Sequence, residues 1–416
     1  MDFEACGFRF FRHHIVKRIS CTVFLLFLIS GNVSGQVPPD PVREILMRGI
    51  EANFSGNYDL ASETFAKIGH VAPEHPAQEF YQAVVLFWRN SIDSSNPRYA
   101  SQIREYLKIS IEKADAWLSR DSESVDALHY LGLSYTYLGR LEAHCGNLYT
   151  GGVYGEKGRK YLERGIEICS NPVHPGAESR MKDRCSPCED LYFPYGAYSY
   201  FAGRLPRLLQ FFNFFWFIPS GSKEEGLSAL ERSARLSCLH RLGAKSLLTS
   251  IYLIFEDDHA DQALVLSREL TEKFPDNPYL DLQHAKILVK VSRYQEASAW
   301  SDLILTKVIQ KKSNYDEIVQ QGALLVKAEV ALRQGQLESA EKILSHLSND
   351  PVFQNNTLTA DIALLQGMLS DIKKERTKAI RFYDQVNSYK GNMRNRIAAG
   401  KANGFLEEPF SIEQDM

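Results

Sequence analysis

The sequence predicts an all-α fold, an α-α superhelix (solenoid) of about eight antiparallel helix pairs. Three observations predict it. Blocks of small, aromatic and apolar residues recur with the same internal spacing at five places along the 416-residue chain. The spacing within each block is that of one face of an amphipathic helix, and Gly or Pro falls at block ends. The length exceeds one ordinary globular core, so the chain builds either two domains or one elongated array.

The clearest block is Gly56-Asn57-Tyr58, then Ala61, Phe65 and Ile68, followed by Pro73. The pattern returns at Ala263, Ser267, Leu270 and Pro275, and at Tyr294, Ala297, Ser301 and Ile304. It appears again at Gly335, Leu337, Ala340, Leu344 and Leu347, and at Ala379, Tyr383 and Val386. Twelve residues before each alanine stands a small or apolar residue: Gly49, Ile251, Ala285, Ala328 and Gly367. Two amphipathic helices packed antiparallel account for this. The small residue of the first helix is expected to face the small residue of the second, so that the backbones approach and larger neighbours fill the surrounding space. Gly56 and Gly335 permit the turn, and Pro73 and Pro275 end the second helix. One pair cannot bury its apolar face alone, so pairs must stack.

These residues resemble the tetratricopeptide repeat family. Pairs 42–75, 244–277, 278–311, 321–352 and 360–391 match well, and 76–121, 125–172 and 191–238 are degenerate copies. In the second degenerate copy Leu131, Gly132 and Tyr135 fit a first helix, and Gly146 to Gly158 reads as an extra stretch before Tyr161 to Ile168. The expected organisation is a leader at 1–35, irregular pairs at 36–190, the main array at 191–391, and a capping helix and tail at 392–416. The run Leu205 to Pro219 with Ser220 to Leu227 is similar to an arrangement in exported bacterial repeat proteins of this kind. It is more loosely similar to a eukaryotic repeat family linked to lipid-rich inclusions.

The leader reads as a secretory signal peptide. Lys17 and Arg18 supply its positive region, Cys21 to Ile29 its apolar core, and Val33-Ser34-Gly35 the small residues before a cleavage at Gly35/Gln36. The apolar run is short for a permanent span, and the alternative is an uncleaved anchor. Residues 1 to 14 precede an ordinary signal, which suggests a true start near Val16. Export to the periplasm, or association with the outer membrane, is the expected localisation.

Removing residues 1–35 takes away four basic and two acidic side chains and leaves 44 against 49, net −5. A mildly acidic chain without clustered Lys and Arg is a poor fit to nucleic acid. Five cysteines remain, Cys145, Cys169, Cys185, Cys188 and Cys238, an odd number that leaves at least one thiol free or paired elsewhere.

Cys185-Ser-Pro-Cys188 is the sharpest local feature. No strand–helix–strand context suits a thioredoxin-like site, and Glu189 stands where haem attachment requires His. A structural disulfide between Cys185 and Cys188 is expected. Free thiols remain an alternative, as does zinc on Cys169, His174, Cys185 and Cys188. No metal or other cofactor is assigned. His240, His259, His284 and His346 form no i, i+4 pair, no nucleophile sits in a recognisable elbow, and no Gly-rich loop follows a strand. No catalytic residue is therefore assigned, and the expectation is a protein that is not an enzyme.

The aromatic stretch Leu208 to Phe217 has two readings. It is a buried helix packed by neighbours, or an apolar patch in which Phe212, Phe215 and Trp216 meet lipid, membrane or a partner.

The repeat resemblance implies a concave groove lined by first helices, here by Tyr252, Tyr279, Lys286, Lys290, Glu329 and Arg333. Tyr mixed with Lys and Arg suits an extended peptide with acidic groups or a free carboxylate. The expected function is a non-catalytic scaffold of the bacterial cell envelope that holds a partner polypeptide. The rival is a membrane- or lipid-associated factor acting through residues 208–217.

Overall fold

The computed structural model describes residues 40–92, 98–171, 186–204, 221–349, 358–389 and 393–412. The leader, Cys185 and the stretch 208–217 lie outside the described residues. The chain divides into two compact units, residues 1–44 and 45–416. Of the first only 40–44 are described. They open helix α1, where the Asp40 carboxylate accepts the Val42 amide at 3.0 Å.

Every regular element among the described residues is helical, and the helices fall into antiparallel pairs at the expected places. The first pair is α1 (Pro41–Phe54) and α2 (Tyr58–Ala66), followed by a single turn, α3 (Ile68–Val71). Next come α4 (Ala77–Arg89) with α5 (Ala100–Arg120), and α6 (Val125–His144) with α7 (Leu148–Ser170). A short α8 (Pro187–Asp190) leads into α9 (Tyr192–Gly203), which packs on α10 (Lys223–Leu236). The regular array follows: α11 (Arg241–Ile254) with α12 (Ala260–Lys273), α13 (Pro278–Lys290) with α14 (Tyr294–Ile309), α15 (Glu317–Arg333) with α16 (Leu337–Asn349), and α17 (Thr359–Ile372) with α18 (Arg376–Ser388). The last helix, α19 (Met393–Glu407), packs on the final pair. The fold is an all-α stack of helix pairs.

Within a pair, one detail differs from the expectation. At Gly49 and Gly367 the small residue of the first helix receives a ring. A Cβ on Gly49 would fall 2.3 Å from the Phe65 ring, and one on Gly367 would fall 2.3 Å from the Tyr383 ring. Ala61 and Ala379 are fully buried beside these contacts. The small residue makes a hole for a large one on the next turn of the partner helix, which fills volume better than two small residues facing each other.

The turns repeat too. Gly56 and Gly335 adopt φ of +76° and +71°, as the sequence anticipates, and Ser292 and Lys374 take the same left-handed conformation at φ 58° and 63° in the equivalent turns. In all four the next amide reaches back to the helix, as Asn57 N to Ala52 O at 3.0 Å and Gln336 N to Ala331 O at 2.8 Å. This satisfies carbonyls that the helix end would leave orphaned.

The stretch from Gly146 to Gly158 is not an insertion. From Leu148 onward it forms the first turns of α7, a helix of 23 residues. Its glycines let α7 lie backbone to backbone on α6. A Cβ on Gly139 would come within 2.7 Å of the Gly151 carbonyl, and one on Gly151 within 2.8 Å of the Gly139 carbonyl. The low helix propensity of glycine hid this element from a reading by propensity.

The cysteines are also paired differently from the expectation. Cys188 bonds Cys169, with Cα atoms 5.8 Å apart, so no Cys185–Cys188 disulfide exists. Cys188 stands in α8, which Ser186 caps, and packs against Val125, Leu162 and Leu191, where the end of α7 brings Cys169 to it. The same bond removes two of the four ligands of the zinc alternative. Cys238 is disulfide-bonded as well, and Cys145 is free and exposed.

The first pair also packs on the main array, within residues 45–416. Asn277 Nδ2 donates to Phe54 O at 2.9 Å, and Asn314 Nδ2 donates to Gly56 O at 2.7 Å. Phe54 lies between Trp88 and Phe274, at ring-centre distances of 4.7 and 5.5 Å. Ile92 packs on the core formed by α13, α14 and α15.

Candidate functional site

Of the six residues expected to line a concave groove, one is a core residue and five are half-buried. Tyr252 is a core residue, 3% exposed. Its hydroxyl donates to Glu231 at 3.0 Å, its ring stacks on His259 at 4.8 Å, and burial pushes its pKa up. It cannot serve as a groove side chain. Tyr279 is half-buried, edge-on to Trp88 at 5.4 Å, with its hydroxyl 3.1 Å from Ser250. The Lys290 ammonium donates to Leu253 O at 2.7 Å and pairs with Asp257 at 2.6 Å, which holds that carboxyl below its usual range. Glu329 and Arg333 pair one turn apart at 3.1 Å, and Lys286 is half-buried. Phe212, Phe215, Trp216 and Cys185 lie outside the described residues.

The physical reason is visible in the first helices themselves. Leu280, Asp281, Leu282, Gln283, His284 and Ala285 are consecutive on α13 and all buried. The helix is covered over most of its surface, and Tyr279, Lys286 and Lys290 stay half-buried along one face. Part of the cover is the first helix pair and its neighbours, through Phe54, Trp88 and Ile92.

Where α1, α4, α6, α9 and α11 approach one another lies a cavity of about 40 Å³, lined by Asn53, Phe54, Phe80, Tyr81, Tyr137 and His240 among others. Asn53 Oδ1 and the Tyr81 hydroxyl are buried there without a protein partner. Beside it, His129 Nε2 and His240 Nε2 sit 2.9 Å apart. Burial lowers both rings to about 3, and for His129 the facing His240 lowers it further. Both are neutral at physiological pH. His129 also hydrogen-bonds the Asp190 backbone. A neutral ring has one N–H, so between the two Nε2 atoms one ring donates and the other accepts. Oδ1 of the Asp190 carboxylate accepts the Ser237 hydroxyl and, at 3.1 Å each, the Cys238 and Leu239 amides. The group organises the turn into α11. It joins residues 111 positions apart, and no local sequence signal announces it.

An open trough lies elsewhere, between the second helices α14 and α16 with α15 as its floor. Its volume is about 410 Å³. One wall is Gln295, Ser298, Ala299 and Asp302, spaced as one face of α14; the other is Gln336, Ser339 and Ile343. The floor is Val330 and Ala331, both 4% exposed, with Lys327 and Gln334 at its ends. The charges that line the trough are Asp302 and Lys327, and they pair with each other. The periodicity placed these three helices but did not single out the trough, because its residues are the polar positions between the core-facing ones.

Among the described residues no helix is long and apolar enough to cross a membrane. No family model and no curated protein matches the sequence. Among solved structures, the human IFIT1 dimer with m7Gppp-AAAA aligns over 91% of this chain and 89% of its own, at 12% identity and a TM-score of 0.40. A similarity at that level says nothing of a shared ligand.

Proposed function

We propose that the protein is a non-catalytic helical-repeat scaffold of the bacterial cell envelope that holds a partner polypeptide. The observation that carries this reading is the trough of α14, α15 and α16: an open, solvated concavity of about 410 Å³ on a stack of helix pairs. Stacked pairs present such surfaces as a consequence of their packing. The disulfide-bonded Cys169, Cys188 and Cys238 favour an oxidising compartment, in line with the exported reading of the leader. The neutral buried histidines favour a structural role for that cluster over proton transfer. Placing a photo-crosslinking residue at Gln295, Ser298 or Ser339, in cells producing the full chain, should give a discrete protein adduct. The same residue at exposed Ser119, on α5, should not. Adducts of equal yield at all positions, or none at any, would reject the scaffold reading.

A second reading, lipid association through residues 208–217, has one observation in its favour. Glu256 accepts the Tyr200 hydroxyl at 2.6 Å and pairs with Arg204 at 3.1 Å and Lys223 at 2.7 Å. Glu256 thus balances the two cations that flank the aromatic stretch in sequence, and the exposed apolar side chains Phe201 and Ile254, at 39% and 42%, are what favours this reading. Flotation of the protein with anionic liposomes, abolished by Phe212, Phe215 and Trp216 to Ser, would favour lipid. No flotation would remove this reading.

A further inference from the structure

We infer that the trough between α14 and α16 takes an extended and uncharged peptide segment about three residues long. This rests on the scaffold reading above and gives the chemistry of its partner. Length comes first. The wall from Gln295 to Asp302 runs two turns of α14, and at ~1.5 Å per residue that is about 10 Å. An extended chain advances ~3.3 Å per residue, so about three residues fit.

Charge comes next. Asp302 and Lys327 neutralise each other inside the trough. A ligand carboxylate or ammonium placed there would lose hydration and find no free counter-charge, a net cost. The remaining polar groups are amides and hydroxyls. Gln295, Gln334 and Gln336 are exposed, and each side chain carries both a donor and an acceptor. The 3.3 Å contact from Gln336 Nε2 to Gln334 Oε1 engages one donor and one acceptor of this exposed pair, whose side chains also carry the Gln334 amide nitrogen and the Gln336 carbonyl. That combination matches the alternating N–H and C=O of an extended main chain, which no single charge would do. The floor and one wall supply the rest: Val330 and Ala331 below and Ile343 on the α16 wall are apolar and, at Ala331, small, leaving room for one aliphatic ligand side chain. The acidic ligand expected from the first-helix lysines fits worse, because the Lys290 ammonium is already spent on Asp257 and the Leu253 carbonyl.

The test uses the full chain from Gln36 and three sets of fluorescent ten-residue peptides. They share an aliphatic centre flanked by Ser and Gln, or carry Glu or Lys there instead. Fluorescence anisotropy should show binding of the uncharged set, weakened tenfold or more by either charge. Ala299→Trp, which fills the trough from an exposed wall position, should weaken binding at least tenfold. The double variant Gln334→Ala with Gln336→Ala should weaken it severalfold, and as both sites are exposed the fold is not at stake. Equal or tighter binding of the Glu set, or uncharged binding that survives Ala299→Trp, overturns the inference while the scaffold reading stands. Silence from all three sets, with photo-crosslinks still forming at Ser298, also overturns it and leaves the scaffold reading intact. Silence in both experiments removes both.

Discussion

Asn277 joins the start of one helix to the end of another that precedes it by 223 residues. Its Oδ1 accepts the Tyr279 and Leu280 amides at 3.0 and 3.3 Å, capping α13, while its Nδ2 donates to Phe54 O at the end of α1. The side chain is fully buried. Asn277→Ala should therefore cost more than an ordinary cap, about 2–4 kcal/mol, since it also leaves a buried carbonyl unpaired. Asn57→Ala, which removes an exposed cap on Leu60, should cost about 1 kcal/mol. Urea denaturation of both variants checks the difference, and equal losses would mean the contact with α1 contributes nothing.

Stability should depend on pH through His129 and His240. Their folded pKa of about 3 lies below the unfolded value of 6.5, so the unfolded chain binds more protons between those limits. Stability is then level above about pH 6.5 and falls as pH drops, by up to about 3 kcal/mol per histidine at pH 4. Replacing His240 by Gln should reduce that slope in denaturant titrations run from pH 7.5 to 4. An unchanged slope would place the proton uptake elsewhere.

Asp371 fastens the carboxyl end. It accepts Arg376 at 2.9 and 3.1 Å, the Tyr383 hydroxyl at 2.8 Å and the Phe410 amide at 3.0 Å. Arg376 in turn holds the Phe405 and Leu406 carbonyls. Asp371→Ala should cost about 2–3 kcal/mol and expose the chain near Phe405 and Phe410 to chymotrypsin before the rest unfolds. Cleavage no faster than in the unsubstituted protein would contradict this.

Lys374 sits at φ 63° on an exposed turn. Left-handed backbone costs a non-glycine residue about 1 kcal/mol. Lys374→Gly should thus raise stability by about 0.5 kcal/mol once glycine's greater unfolded-state freedom is offset. A loss on substitution, read from the urea midpoint, would show that the lysine side chain has a role in the turn.

The disulfide assignment predicts a labelling pattern. Alkylation of denatured, unreduced protein should modify Cys145 and spare Cys169, Cys188 and Cys238. Replacing Cys169 and Cys188 together by Ser should cost about 3 kcal/mol.

The repeats were legible because the helix-pair code is local. Tyr58, Ala61 and Phe65, or Leu337, Ala340 and Leu344, each report one helix face, and five copies in phase fixed the order of elements. What stayed hidden depends on residues far apart. The Gly139–Gly151 contact needed two helices brought together before the glycines made sense. The Cys169–Cys188 bond needed α7 to end beside α8, and the His129–His240 pair has no periodic signature. The burial of Tyr252, expected on a groove face, was hidden for the same reason. Tyr252 becomes a core position through Glu231 and His259, and Tyr279 is half-buried under Trp88.

The account stands or falls on where a partner touches the array. Hydrogen–deuterium exchange of the full chain, alone and with the partner held by its Ser298 crosslink, reads this directly. The account predicts slowed exchange in 294–302 and 334–343, with 278–290 unchanged. Protection confined to 278–290 would place the partner on the first helices and contradict it.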